Sequence, residues 1–193
     1  MPRVLALLIF GVVGLILPAA AAAQTSGTGG AQFSDEPQAP IVSPGSKATL
    51  LPDGTAAAPA DAPPQVQAAI FAANKLLRKP YKYGGGHAKV EDTGYDCSGT
   101  ISYALRAAKL LKTPLDSISF MRWGLKGKGS WITVYTNPGH AFAVIAGLRL
   151  DTSAYAVSDR VRQQYPTATQ KGPRWRPTPR PATGYKIRHP QGF

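Results

Sequence analysis

The stretch Tyr95-Asp96-Cys97-Ser98-Gly99 constrains this chain more than any other. A coil-like, glycine-rich run from Gly84-Gly85-Gly86 to Gly94 leads into it, and a helical pattern leaves it. Ile101, Ala104, Leu105, Ala108 and Leu111 recur at three- and four-residue spacing, so the spacing predicts a helix with one apolar face. Cys97 lies four residues before Ile101, which puts it in the first turn on that face. A thiol there meets the unpaired N–H groups and the positive end of the helix, and both favour the thiolate. Cys97 is therefore a candidate nucleophile. The pentapeptide alone is equally compatible with a buried cysteine serving as a small apolar residue.

The one cysteine of the chain gains weight from the N-terminus. Arg3, the apolar run Val4 to Leu17, and the small residues Ala19 to Ala23 read as a secretory signal peptide over 1–23. The uninterrupted apolar run is short for a transmembrane anchor, and Pro18 followed by alanines suits cleavage. No cysteine follows the run, so it does not read as a lipoprotein anchor. The expected location is outside the cytoplasm, in a periplasm or cell wall. A lone thiol there cannot form an intramolecular disulfide, and keeping one points to use.

Residues 24–64 are rich in Ala, Gly, Ser, Thr and Pro and lack a sustained apolar period, so they read as a disordered tether. Beyond it, 65–193 carries 20 of the 22 Lys and Arg but six of the ten Asp and Glu, a net charge of about +14. Such a domain should adhere to an anionic polymer, and outside the cytoplasm that means wall polymer or a membrane surface rather than nucleic acid. From Arg160 to Phe193 there are eight Lys or Arg and no acid.

Val66, Ile70, Ala73 and Leu77 predict a helix over 65–78, ended by Lys79-Pro80. Residues 115–123 read as a short helix or irregular, 131–135 as a strand, and 140–145 with 148–152 as a hairpin joined at Ala146-Gly147. A further strand is expected near 184–188.

A thiolate nucleophile needs a base, and the base needs an orienting group. Of His87, His140 and His189, His140 opens a strand directly after a Pro-Gly turn and is the most rigidly held. With a two-residue loop, Ile145 pairs with Leu148 and Phe142 with Asp151. His140, Phe142 and Asp151 then share one face. Asp151 lies diagonal to His140, and Ser153, directly opposite, is its rival as the third polar residue. A one-residue slip would turn Asp151 away. Three dispersed histidines and one cysteine do not form a zinc pattern, so no metal or other cofactor is expected.

Pro80-Tyr81-Lys82-Tyr83-Gly84-Gly85, Asp96-Cys97-Ser98-Gly99 and Gly139-His140-Ala141-Phe142-Ala143-Val144, in this order, resemble the NlpC/P60 family of papain-like cell-wall cysteine peptidases. The resemblance covers residues 65–153. It implies an α+β fold in which a helix bearing the cysteine packs on an antiparallel sheet bearing the histidine. It implies cleavage of peptidoglycan stem-peptide amides, typically between D-γ-glutamyl and a diamino acid. By motif position Cys97 would be the nucleophile and His140 the base. Tyr81 would sit near the oxyanion, and Asp96 and Ser98 would meet the substrate's amino end. A simpler role for Asp96 is to cap the helix. The chain departs from the pattern in four places, one being the tail from Gly172-Pro173-Arg174-Trp175-Arg176 to Arg188-His189-Pro190, which lies outside it. Asp151 stands where the family commonly has His, the loop from Gly86 to Tyr95 is longer, and Ser130 to Tyr135 replaces a Pro-Gly-Asp-Leu segment. Two other functions remain open on the same scaffold: a non-catalytic wall-binding module, and an acyltransferase or amidase using the same cysteine.

Overall fold

The computed structural model describes residues 40–154 and 158–193. The signal-peptide segment 1–23 and residues 24–39 of the expected tether lie outside the described residues. The described chain is an α+β structure. Its strands are β1 (Val42–Ser43), β2 (Thr49–Leu50), β3 (Ala56–Pro59), β4 (Leu125–Lys126), β5 (Ile132–Asn137), β6 (His140–Ile145), β7 (Leu148–Asp151), β8 (Arg174–Arg176) and β9 (Lys186–His189). Its α-helices are α1 (Pro64–Asn74), α2 (Cys97–Ala107), α3 (Ser117–Phe120) and α4 (Asp159–Gln164). Among the described residues no helix is long and apolar enough to cross a membrane.

The main sheet has the order β4-β9-β5-β6-β7-β8, and each of its neighbouring pairs is antiparallel. The alternation of β6 and β7 sends Ala141, Ala143, Ile145, Leu148 and Leu150 to one face, where they join Val66, Ala69, Ile70 and Ala73 of α1 and Ile101, Ala104 and Leu105 of α2. The opposite face carries Tyr135, Phe142, Arg149 and Asp151, and these are also buried. Tyr135 and Phe142, directly paired across β5 and β6, stack with ring centroids 4.6 Å apart.

Residues 40–64 depart from the expected tether. β3 lies between β1 and β2 in a small second sheet, and Ala56, Ala57 and Ala58 are buried. Asn74, the last residue of α1, ties this sheet to the rest. Its amide accepts from Ala56 N–H and donates to the Ala56 carbonyl, each at 2.9 Å, and it accepts the Trp175 indole N–H at 2.7 Å. Alanine and proline serve here as small residues that let the backbone approach α1, a use their abundance in linkers conceals.

The basic tail is likewise part of the fold. β8 closes one side of the main sheet and β9 sits inside it, with the Trp175 side chain in the core. Arg174 and Arg176 are buried. The strand expected near 184–188 is β9; β4 and β8 are short strands without an alternating signature of their own.

Candidate active site

Asp96 fixes the start of α2. Its side chain accepts the Gly99 N–H at 2.7 Å, a standard N-cap, and leaves Cys97 as the first helical residue. The segment before the helix is laid directly over this turn. Tyr81 and Tyr95 form a parallel bridge, and the Asp96 N–H donates to the Gly85 carbonyl at 3.3 Å. The crossing is so close that a Cβ on Gly99 would lie 2.0 Å from the Gly85 oxygen. The longer loop that precedes Tyr95 is held by Asp92, which pairs with Lys82 at 2.7 Å and accepts the Gly86 N–H at 3.2 Å.

A second turn places His140. The Asn137 side chain accepts the N–H groups of Gly139 at 3.0 Å and His140 at 2.8 Å, which sets the two-residue Pro138-Gly139 loop. β6 and β7 then pair with Ile145 opposite Leu148 and Ala143 opposite Leu150. Ala146 (φ 47°) and Gly147 (φ 83°) both take left-handed conformations, as a two-residue hairpin loop with this twist requires. The same register carried one step further sets Phe142 opposite Asp151 and Asp151 diagonal to His140.

The two side chains meet. His140 Nε2 lies 2.9 Å from Asp151 Oδ1, and Cys97 lies close enough to the same ring to raise its pKa. With Nε2 committed to Asp151, Nδ1 is the nitrogen left for Cys97. Cys97 is a half-buried free thiol, and the Asp151 side chain is fully buried. Asp151 Oδ1 also accepts the Ser153 N–H at 2.8 Å, while Oδ2 faces Arg180 at 3.1 Å and Arg149 at 3.4 Å. Ser153 thus supports the carboxylate through its backbone.

Burial pushes the His140 imidazole down, but its hydrogen bonds to Asp151 and Cys97 and their charges outweigh this and lift it to about 9. Burial pushes the Asp151 carboxyl up, yet the hydrogen bonds from His140 and Ser153 and the charges of His140 and Arg149 hold it below its ordinary value. These shifts set the sign of the pH dependence of stability. His140 is raised, so its contribution is fully present below about pH 6.5, its unfolded value, and is lost as the pH climbs through about 9. Asp151 is depressed, so its contribution is present above its ordinary value and lost as the pH falls through the lower folded one. The melting temperature of the wild type should therefore drop across the alkaline range relative to that of His140→Gln. Parallel melting curves for the two proteins from neutral pH to about 10 would show that the pair does not stabilise the fold.

The other residues singled out in the sequence surround the helix terminus. The Tyr81 phenol is raised by burial first, then by the nearby charges of Cys97, Asp96 and Tyr83, and is about half exposed. The Ser98 hydroxyl donates to Asp96 Oδ1 at 3.1 Å. His87, which has no neighbour in sequence to mark it, reaches the same pair, with Nε2 3.1 Å from Asp96 Oδ1 and 3.2 Å from Ser98 Oγ. His189 lies elsewhere, with Nδ1 3.0 Å from the Gly127 carbonyl. Two arginines face the Asp151 carboxylate, and Arg176 Nε donates to the Asp151 carbonyl at 3.2 Å. Arg149 shares the Asp151 face by strand alternation and was readable in that way, whereas Arg180 had no sequence signal. Among the described residues no group of three or more His, Cys, Asp or Glu side chains could hold a metal ion. Compared with protein-family models and with curated proteins, the chain matches none.

Proposed function

We propose that this chain is an exported cysteine peptidase of the papain-like NlpC/P60 type, acting on amide bonds of peptidoglycan stem peptides. The observation that carries the reading is the His140–Asp151 pair, 2.9 Å apart, set beside Cys97 at a helix N-terminus. An imidazolium beside a cysteine favours the nucleophilic thiolate, and a buried carboxylate keeps that imidazolium oriented. The thiolate attacks the scissile carbonyl carbon, and the tetrahedral oxyanion faces the first-turn N–H groups of α2 and the Tyr81 hydroxyl. The C–N bond breaks as His140 passes its proton to the leaving amine. Water, deprotonated by His140, then attacks the thioester, and the Cys97 thiolate leaves with its bonding pair. Asp96 and Ser98 lie beside the nucleophile, where the amino end of the peptide would approach, and Asp96 also caps the helix. The substrate class rests on the order of the three motifs. Digestion of purified peptidoglycan, with fragments identified by mass spectrometry, tests it. Release of peptides ending in a D-γ-glutamyl residue is the expected result. Binding without cleavage would favour the adhesion module, and transfer of an acyl group to an added amine would favour the acyltransferase.

We also propose that the basic surface holds the domain on anionic wall polymer or a membrane surface. The burial of Arg174 and Arg176 moves this role away from the tail as a whole. Arg122, Lys126, Lys128 and Lys186 are exposed around the paired strands β4 and β9, and residues 117–150 and 160–193 contain no acid. The double variant Lys126→Glu/Lys128→Glu should bind anionic polymer several-fold more weakly. Wild-type binding should fall steeply with salt, because exposed charges are screened beyond about 10 Å at 0.1 M. Attachment indifferent to salt would rule the electrostatic account out.

A further inference from the structure

Asp151 is shared. One oxygen serves His140 and the Ser153 N–H, and the other faces Arg180 Nη1 at 3.1 Å and Arg149 at 3.4 Å. Arg180 comes from the segment between β8 and β9, far from the cysteine and histidine motifs in sequence. Its guanidinium lies 5.6 Å from the ring centroids of both Phe142 and Tyr185, within cation–π range. Phe142 shares the sheet face of His140 and Asp151, and it packs edge-on against Tyr185 at 5.1 Å. The backbone that delivers Arg180 is stiff: Pro177, Pro179 and Pro181 alternate with Thr178 and Arg180. Each proline fixes its own φ and confines the preceding residue to extended conformations. A long, flexible cation is thus held by its backbone, by two rings and by one carboxylate.

We propose that Arg180 is a positioning residue of the site, a fixed positive charge that acts through Asp151 on the Cys97–His140 pair. This role rests on the peptidase reading for its purpose, but not for its measurement. A buried carboxylate facing an imidazolium alone would hold the proton on His140 very firmly, and the histidine must give that proton to the leaving amine. A guanidinium on the far oxygen takes part of the carboxylate's field and keeps the proton transferable. The same positive charge helps the thiolate form. The ionisable groups around the pair are Cys97 on α2, Asp151 and Arg149 on β7, Arg176 on β8, and Tyr81 and Asp96 on the thiol side. Arg180 completes this set.

The test is the pH profile of Cys97 alkylation by iodoacetamide in the full mature protein. It compares wild type, Arg180→Gln and Arg180→Lys, with melting curves to confirm folding. Glutamine keeps a donor for Asp151 and removes the charge; lysine keeps the charge and loses the flat ring contacts. In Arg180→Gln both limbs of the profile, thiolate formation and imidazolium loss, should move to higher pH by roughly one unit, the scale of one partly buried charge a few ångströms away. Arg180→Lys should restore most of the wild-type profile, even if its melting temperature is lower. A glutamine variant whose profile overlays wild type, or whose limbs move down, overturns the role, as does a lysine variant no closer to wild type than glutamine. A wild-type profile with a single ordinary thiol step would remove the ion pair and this role together. Two clear limbs that respond to Arg180, in a protein that releases nothing from peptidoglycan, would leave Arg180 in place and sink only the substrate assignment.

Discussion

Cys97→Ala should abolish release of peptide fragments from peptidoglycan while the fold and wall attachment persist. Removing one sulfur from a half-buried first-turn position costs little packing, and alanine is a good helix former. The Asp96 cap and the Gly85–Gly99 crossing do not use the thiol. The chemistry, by contrast, has no second nucleophile, since the chain contains no other cysteine. The loss should reach the background of the assay, a drop on the order of 10⁴-fold or more in turnover, as for removal of a nucleophile in other triads. Cys97→Ser should be nearly as poor, because a hydroxyl is much harder to ionise at the same imidazole. Fragment release is measured by mass spectrometry, and the melting temperature of each variant is measured beside it. Full activity in Cys97→Ala would overturn the catalytic assignment outright.

The second large effect is expected at Asp151. Asp151→Asn keeps a hydrogen-bonding group on His140 but cannot stabilise imidazolium by charge. Turnover should fall by about 10²-fold or more, by analogy with other triads. Asp151→Ala removes the contact as well. Both changes also strip the charge partner from Arg149 and Arg180. Breaking a buried pair in this way typically costs about 3–5 kcal/mol, so the alanine variant should be markedly less stable. Turnover must therefore be scaled to the folded fraction. The alkylation profile separates the causes. Without the carboxylate the imidazolium is less stable, so its limb moves to lower pH, and the thiolate, poorly paired, forms at higher pH. The reactive window narrows from both sides, in contrast to the upward shift expected for Arg180→Gln. Unchanged alkylation and unchanged turnover together would reduce Asp151 to a structural acid, and Ser153 would be the next position to vary.

Several parts of this arrangement follow from local rules and were legible in the sequence. The α2 helix came from its apolar spacing, and its start from Asp96 as a cap. The His140–Asp151 proximity came from one inference, a two-residue loop at Ala146-Gly147, because a period of two then fixes which side chains share a face. Each of these depends on residues within about a dozen positions of one another, where backbone sterics and pairing geometry leave few choices.

What lay beyond that reach was decided by the tertiary structure. Ala56 to Pro59 has no alternation, so its place against α1 is set by how closely two small-residue backbones can approach, a property of the pair. His87 reaches Asp96 and Ser98 because the glycine segment folds back over the α2 terminus. Arg174, Trp175 and Arg176 look like an exposed basic tail, and become buried only because β7 offers an open edge to pair with. Arg180 is the clearest case: nothing near it in sequence is acidic, and its carboxylate partner lies 29 positions earlier. Charge and composition along the chain determined that the domain is basic; the folded structure decided which of those charges face solvent and which face Asp151.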